Sequence, residues 1–160
     1  MRCQNVKLFS RQPLFQALTA CHDEGLLNQE PVVFVVDDDA SVRRALRRLI
    51  RSAGLAVEVF ATAAEFLEHP GRFRPGCLVL DIRMPGMGGI ELQRCLVGTT
   101  QELPIVFITG YETQEVRDLA HQAGAVDFLS KPFDDQSLLG AIHRALGQQQ
   151  TGISAPKGSD

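Results

Sequence analysis

The stretch Cys77-Leu78-Val79-Leu80-Asp81-Ile82-Arg83-Met84-Pro85-Gly86-Met87-Gly88-Gly89 decides how this chain is read. An apolar run of strand character stops at a carboxylate, and a Pro/Gly-rich segment follows before helical periodicity resumes at Ile90. Asp81 is thereby expected at the carboxyl end of a strand. In open α/β sheets, ligand sites form in the crevice beyond such ends. A carboxylate there serves as a nucleophile, a metal ligand or both. Taken alone, it reads more readily as a cap on the following turn.

Upstream, Val32-Val33-Phe34-Val35-Val36 is a β-branched run that reads as a strand buried on both faces, and it ends in Asp37-Asp38-Asp39. From Ala40 to Ala53 the spacing predicts a helix with Val42, Ala45, Leu46, Leu49, Ile50 and Ala53 inward. Arg43, Arg44, Arg47, Arg48 and Arg51 fill its other face and read chiefly as solvated surface, with docking to an acidic kinase surface as the lesser reading. Gly54 ends it. Ala56 to Phe60 predicts a second strand, and Thr62-Ala63-Ala64-Glu65 has the form of a capping box opening a short helix to Glu68.

Downstream, a helix is expected over Gly89 to Val97 and a buried strand over Pro104 to Ile108, which stops at Thr109-Gly110. A helix from Thr113 to Gln122 is expected to bury Val116, Leu119 and Ala120. Ala125 to Leu129 predicts the last strand, ending at Ser130-Lys131-Pro132, and Asp134 caps a helix with Leu138, Leu139, Ile142, Ala145 and Leu146 inward. Strands alternating with helices, each return long enough only for a parallel crossover, predict an α/β doubly wound parallel sheet of five strands with five helices.

The 160 residues are 44% hydrophobic with a formal net charge of -3, and no apolar run approaches a membrane span. That balance excludes a nucleic-acid-coating protein. Residues 1–30 lack a secretory signal pattern and are expected to be a loosely ordered extension, 31–147 the folded domain, and 148–160 a polar flexible tail. Cys3, Cys21, Cys77 and Cys95 form no C-x-x-C pair, Cys77 and Cys95 read as buried core thiols, and a reducing cytoplasm is the expected compartment. His22, His69, His121 and His143 lack ligand spacing and are expected at the surface.

Four strand ends place Asp37 and Asp38, Asp81, Thr109 and Lys131 along one edge of such a sheet. Two carboxylates about 4 Å apart repel by about 4 kcal/mol at an effective dielectric near 20, so the cluster calls for a cation. An oxygen-only site suits Mg²⁺, which commonly bridges carboxylates to a phosphate. Lys131 can neutralise a phosphoryl oxygen and Thr109 can donate to another, so the parts describe phosphoryl transfer to a carboxylate.

The acidic pair after Val36, the loop Asp81-x-x-Met84-Pro85-Gly86, Ile108-Thr109-Gly110 and Phe128-Leu129-Ser130-Lys131-Pro132-Phe133 together resemble a receiver domain of the two-component response regulators, over Val32 to about Gly147. The wording around Gly124-Ala125-Val126-Asp127-Phe128 is similar to the nitrogen-fixation and nitrate regulator group. The resemblance implies a flavodoxin-like strand order of 2-1-3-4-5. It implies that Asp81 accepts a phosphoryl group from a sensor histidine kinase or histidine phosphotransfer protein. Asp37, Asp38, Asp81 and the backbone carbonyl of Arg83 would hold Mg²⁺, Thr109 and Lys131 would bind phosphoryl oxygens, and Phe128 would change rotamer as Thr109 moves. The Lys131-Pro132 bond would be cis.

By the same resemblance, phosphorylation switches the face of the fourth helix and fifth strand, with homodimerisation a possible result. The chain would act as a phosphoacceptor rather than a turnover enzyme. Because no helix-turn-helix pattern follows Gly147, no DNA-binding output module, no direct nucleic-acid binding and no membrane association are expected. The competing reading is a haloacid-dehalogenase-like phosphatase with Asp37 as nucleophile in Asp37-Asp38-Asp39, Thr109, Lys131 and Asp134-Asp135 in supporting places, and no role for Asp81.

Overall fold

The computed structural model describes residues 29–99 and 102–151. In chain order these are β1 (Val32–Val36), α1 (Ala40–Ser52), β2 (Ala56–Phe60), α2 (Ala63–Glu68), a short 3-10 turn (Pro70–Phe73), β3 (Gly76–Asp81), α3 (Gly89–Leu96), β4 (Ile105–Thr109), α4 (Gln114–Gln122), β5 (Asp127–Ser130) and α5 (Asp135–Thr151). The five strands pair in parallel in the order β2-β1-β3-β4-β5. This is the flavodoxin-like doubly wound sheet expected above, with five helices around it.

The strands that read as continuous apolar runs are the central ones: β1, β3 and β4 are buried along their whole length. Because side chains alternate across a strand, each run feeds two cores. Val32, Phe34 and Val36 join Leu78, Leu80 and Phe107 under α2, α3 and α4, through Phe66, Leu92 and Ala120. Val33 and Val35 join Cys77, Val79, Val106 and Ile108 under α1 and α5, through Leu46, Ile50, Leu138 and Ile142. Phe66 stacks edge-on against Phe34 and Phe60, each at 5.5 Å between centroids, a geometry that adds to the burial of the rings.

Local signals fix the element ends. The Asp39 carboxylate caps α1, accepting from the N–H groups of Ser41 and Val42, and Thr62 caps α2 through the N–H of Glu65. The Glu65 side chain returns to the N–H of Ala61, one residue before the position a strict capping box uses. Asp134 accepts from both the N–H and the hydroxyl of Ser137 ahead of α5.

Several expectations need correction. Leu119 is 42% exposed and Val116 only half-buried, so α4 rests on the sheet mainly through Ala120. A 3.6-residue period identifies a helix face but not how closely the helix docks. Ala45 and Ala53 are exposed on α1, and Cys95 is an exposed thiol on α3 while Cys77 is buried. His69 is half-buried, with Nε2 3.3 Å from Glu58 Oε2 and its ring edge-on to Phe60. Strand β5 starts at Asp127, later than Ala125, and helix α5 continues past Gly147 to Thr151. A single glycine costs a helix only about 1 kcal/mol, and the glutamines that follow are good helix formers. The readings of residues 1–28 as an extension and 152–160 as a tail lie outside the described residues. Among the described residues, no helix is long and apolar enough to cross a membrane.

Candidate functional site

The sheet order reverses between β1 and β3, and the crevice at that switch point is where open α/β sheets bind ligands. Register then dictates which residues meet there. Val36 pairs with Leu80, Asp81 with Ile108, and Thr109 with Ser130. One step further along each strand lie Asp37, beside Asp81, and Lys131, beyond Thr109. Continuing the alternation, Asp37, Asp81 and Lys131 share the parity of Val35, Val79 and Leu129 on the α1/α5 side, whereas Thr109 follows Phe107 to the other side.

The Lys131 Nζ donates to Asp37 Oδ2 at 2.7 Å and lies 3.5 Å from Asp81 Oδ2. Asp37 is fully buried with both oxygens engaged, because its Oδ1 accepts the Asp39 N–H at 2.8 Å. Asp81 is 5% exposed and loosely held: its Oδ1 accepts only the Arg83 N–H, at 3.3 Å. Carboxylate oxygens of Asp37, Asp38 and Asp81 all lie within 4.8 Å of one another, with Asp38 exposed at the mouth.

Burial, and then the charge of Asp37, push the Asp81 carboxyl up to about 6. For Lys131, burial opposes the ammonium, but the hydrogen bond and charge of Asp37, with Asp81, outweigh it and hold its pKa above the ordinary value. One ammonium among three carboxylates leaves the pocket short of positive charge. The donor set, carboxylate oxygens without imidazole or thiolate, fits a hard divalent cation such as Mg²⁺.

The loops around the pocket show what the sequence did not. The Thr109 hydroxyl accepts from the Tyr111 N–H at 3.1 Å and faces the Tyr111 carbonyl at 3.3 Å, so it is committed to its own loop. The Arg83 guanidinium sits 4.4 Å from the centre of the Tyr111 ring, joining the loops after β3 and β4 across the site. Arg43, assigned from sequence to a solvated face, is half-buried and donates to the Asp37 carbonyl at 2.7 Å. Gly89 permits a close approach beside the pocket: a Cβ there would stand 2.4 Å from the Asp81 carbonyl oxygen. Its N–H donates to the Ile82 carbonyl at 2.9 Å, seating the start of α3 against the strand end. Phe128 is half-buried on β5, with the Arg117 guanidinium 5.8 Å from its ring centre. The Lys131-Pro132 peptide bond is cis.

The fold and the site together define the class: a flavodoxin-like domain with a cluster of carboxylates at the switch point of its sheet. Comparison with known proteins narrows that class. The sequence model of the response regulator receiver domain matches residues 33–143. Response regulator protein TmoT of Ectopseudomonas mendocina is 46% identical over 119 residues, 74% of this chain and 54% of that protein. Nodulation protein W of Bradyrhizobium diazoefficiens is 48% identical over 111 residues, 69% of this chain and 49% of that protein. Among solved structures, FixJ-N is 39% identical with a TM-score of 0.69, covering 74% of this chain and 95% of that one. The chain belongs to the response regulator receiver domain family.

It spans about half the length of the curated relatives it matches. Membership places it in two-component phosphorelay signalling, and the phosphatase alternative is not supported. The geometry agrees on that last point, because both oxygens of Asp37, the nucleophile that reading requires, are tied down.

Proposed function

We propose that this chain is a phosphoacceptor that takes a phosphoryl group from a phosphohistidine of a sensor kinase or phosphotransfer protein onto Asp81. The observation that carries the reading is the contrast between the two buried carboxylates: Asp37 is fully bonded, while Asp81 keeps oxygen capacity free at the pocket mouth. In the transfer, an Asp81 oxygen attacks phosphorus, the P–N bond breaks, and its electron pair leaves on the donor imidazole. An acyl phosphate remains on Asp81. Lys131, already shared between Asp37 and Asp81, neutralises charge on the phosphoryl oxygens.

Asp37, Asp38, Asp81 and the Arg83 carbonyl would hold Mg²⁺. When bound, it supplies positive charge that balances the carboxylates and the incoming phosphoryl oxygens. Thr109 must leave the Tyr111 backbone before its hydroxyl can meet a phosphoryl oxygen. That exchange draws the β4–α4 loop toward the pocket, with Phe128 following Thr109, and repacks the face of α4 and β5. The thin docking of α4 suits it to such a change. Homodimerisation through that face and lack of enzymatic turnover belong to the same proposal, as does a cytoplasmic setting.

The test is incubation of the chain with Mg²⁺ and acetyl phosphate. Wild type should gain one labile phosphoryl group and Asp81→Asn none, whereas sustained release of phosphate from phosphomonoesters would overturn the reading.

A further inference from the structure

Glu112 has no task in the pocket chemistry, yet both of its carboxylate oxygens are engaged. One meets the Arg117 guanidinium near the start of α4, and the other accepts from the Ser130 hydroxyl at the end of β5. The Arg117 guanidinium in turn lies 5.8 Å from the centre of the Phe128 ring. A single side chain thus ties the loop after β4 both to α4 and to β5. Helix formation does not require it. The Thr113 hydroxyl already caps α4 by accepting the Val116 N–H at 3.2 Å, and Glu115 supplies the acidic group of the first turn. Glu112 stands outside the helix, so its pair with Arg117 is not one of the i,i+4 contacts that support helices.

The two ends of α4 are held differently. At the C-terminal end Ala120 and Ala123 join the core, and the buried Gln93 of α3 donates its side-chain amide to the Ala123 carbonyl. The N–H groups of Ala125 and Val126 donate to the carbonyls of Ala120 and Ile105, fixing that end to the sheet. At the N-terminal end Gln114 and Glu115 are exposed and Val116 is only half-buried. There the polar ties to β5 run through Glu112 and Arg117. Thr109 and Ser130 are register partners, so their side chains share one face of the sheet, the face that α4 covers.

We propose that Glu112 is a positioning residue: bound to Ser130 and Arg117, it latches the loop after β4 onto β5 and sets how readily Thr109 leaves Tyr111 for a phosphoryl oxygen. This deepens the phosphoacceptor reading of Asp81 and rests on it. Only Gly110 and Tyr111 separate Thr109 from Glu112, so a loop drawn toward the pocket pulls Glu112 off Ser130. Release frees Arg117, uncovers Phe128 and lets the start of α4 swing about its anchored end. The contacts are of a strength that suits a threshold. Charge-assisted bonds between exposed groups are individually modest, so the latch biases the resting state by a small factor that a phosphoryl group at Asp81 can override.

The test uses the full chain with Mg²⁺ and acetyl phosphate, the phosphorylated fraction being followed by intact mass. Glu112→Ala and Arg117→Gln should each raise the rate of phosphoryl uptake about three- to tenfold, the scale of one exposed ion pair. Before any phosphodonor is added, the amide chemical shifts of Thr109 and Phe128 in both variants should already move toward their positions in phosphorylated wild type. The charge swap Glu112→Arg/Arg117→Glu keeps the ion pair, and a guanidinium can still donate to the Ser130 hydroxyl oxygen. It should return both readouts most of the way to wild type, which a merely structural role would not produce. Uptake unchanged or slower in the single variants, Thr109 and Phe128 amides that stay at their resting positions, or a swap that behaves like the single variants overturns the latch. Wild type that takes no phosphoryl group would overturn the reading of Asp81, and the latch with it.

Discussion

The ammonium of Lys131 lies closer to Asp37, at 2.7 Å, than to Asp81, at 3.5 Å. The lysine therefore anchors one carboxylate and leaves the other under-compensated. Most of the behaviour expected of the pocket follows from that asymmetry.

Removing the anchor leaves two buried carboxylates facing each other. Lys131→Met should lower the stability of the metal-free protein by about 3 kcal/mol or more, the usual effect of orphaning a buried charge. Added Mg²⁺ should restore part of the loss. Urea unfolding with and without Mg²⁺ measures both effects, and an unchanged midpoint without metal would show that Asp37 does not depend on the ammonium.

Asp81 should behave in the opposite sense. Its carboxyl is raised from 3.8 to about 6, so the folded protein binds more protons than the unfolded chain between those values. The penalty for burying its charge is fully present above pH of about 6 and relieved as pH falls toward 4. Asp81→Asn should therefore stabilise the metal-free protein at neutral pH by about 2 kcal/mol and gain little near pH of about 4. Thermal unfolding of both proteins across that range checks the sign. A variant less stable than wild type at neutral pH contradicts it.

Gly89 has no room for a side chain. Because a Cβ would stand 2.4 Å from the Asp81 carbonyl oxygen and 3.0 Å from the Ile82 Cα, Gly89→Ala must push α3 off the strand end. A loss of about 2 kcal/mol is expected, typical of overpacking, together with slower phosphoryl uptake from acetyl phosphate. Gly54→Ala serves as a control, since it meets nothing within 4 Å but has a positive φ of 80° and should cost stability without touching uptake.

Thr109 holds its loop through Tyr111. Thr109→Ala should cost about 1 kcal/mol through the unpaired Tyr111 N–H and slow phosphoryl uptake about tenfold. Thr109→Ser should retain most of both. Uptake unaffected by loss of the hydroxyl would remove Thr109 from the site.

The sheet was legible because buried parallel strands are continuous apolar runs, and Val32–Val36, Gly76–Asp81 and Ile105–Thr109 are interrupted by nothing. The pocket was legible because each such run stops at a polar residue and parallel strands bring those stops to one edge. Less of the neighbourhood could be read. The three successive aspartates looked alike in sequence, yet Asp37 is a buried anchor, Asp38 an exposed potential ligand and Asp39 a helix cap. That division depends on the path of the turn. Arg43 belongs to a charged run, and only the third dimension shows it turning in to the Asp37 carbonyl. The contact between Arg83 and Tyr111 joins two loops that no periodicity relates. Leu119 repeats at core spacing on a helix that the sheet barely covers.

The most direct test of the central claim is chemical mapping of the phosphorylated residue. The chain is loaded from acetyl phosphate with Mg²⁺, the acyl phosphate is reduced with borohydride, and the modified peptide is sequenced by mass spectrometry. Conversion of Asp81 to homoserine, with Asp37 and Asp38 unmodified, is the predicted result. Modification at Asp37, or none at Asp81 under conditions that label the protein, would contradict the assignment.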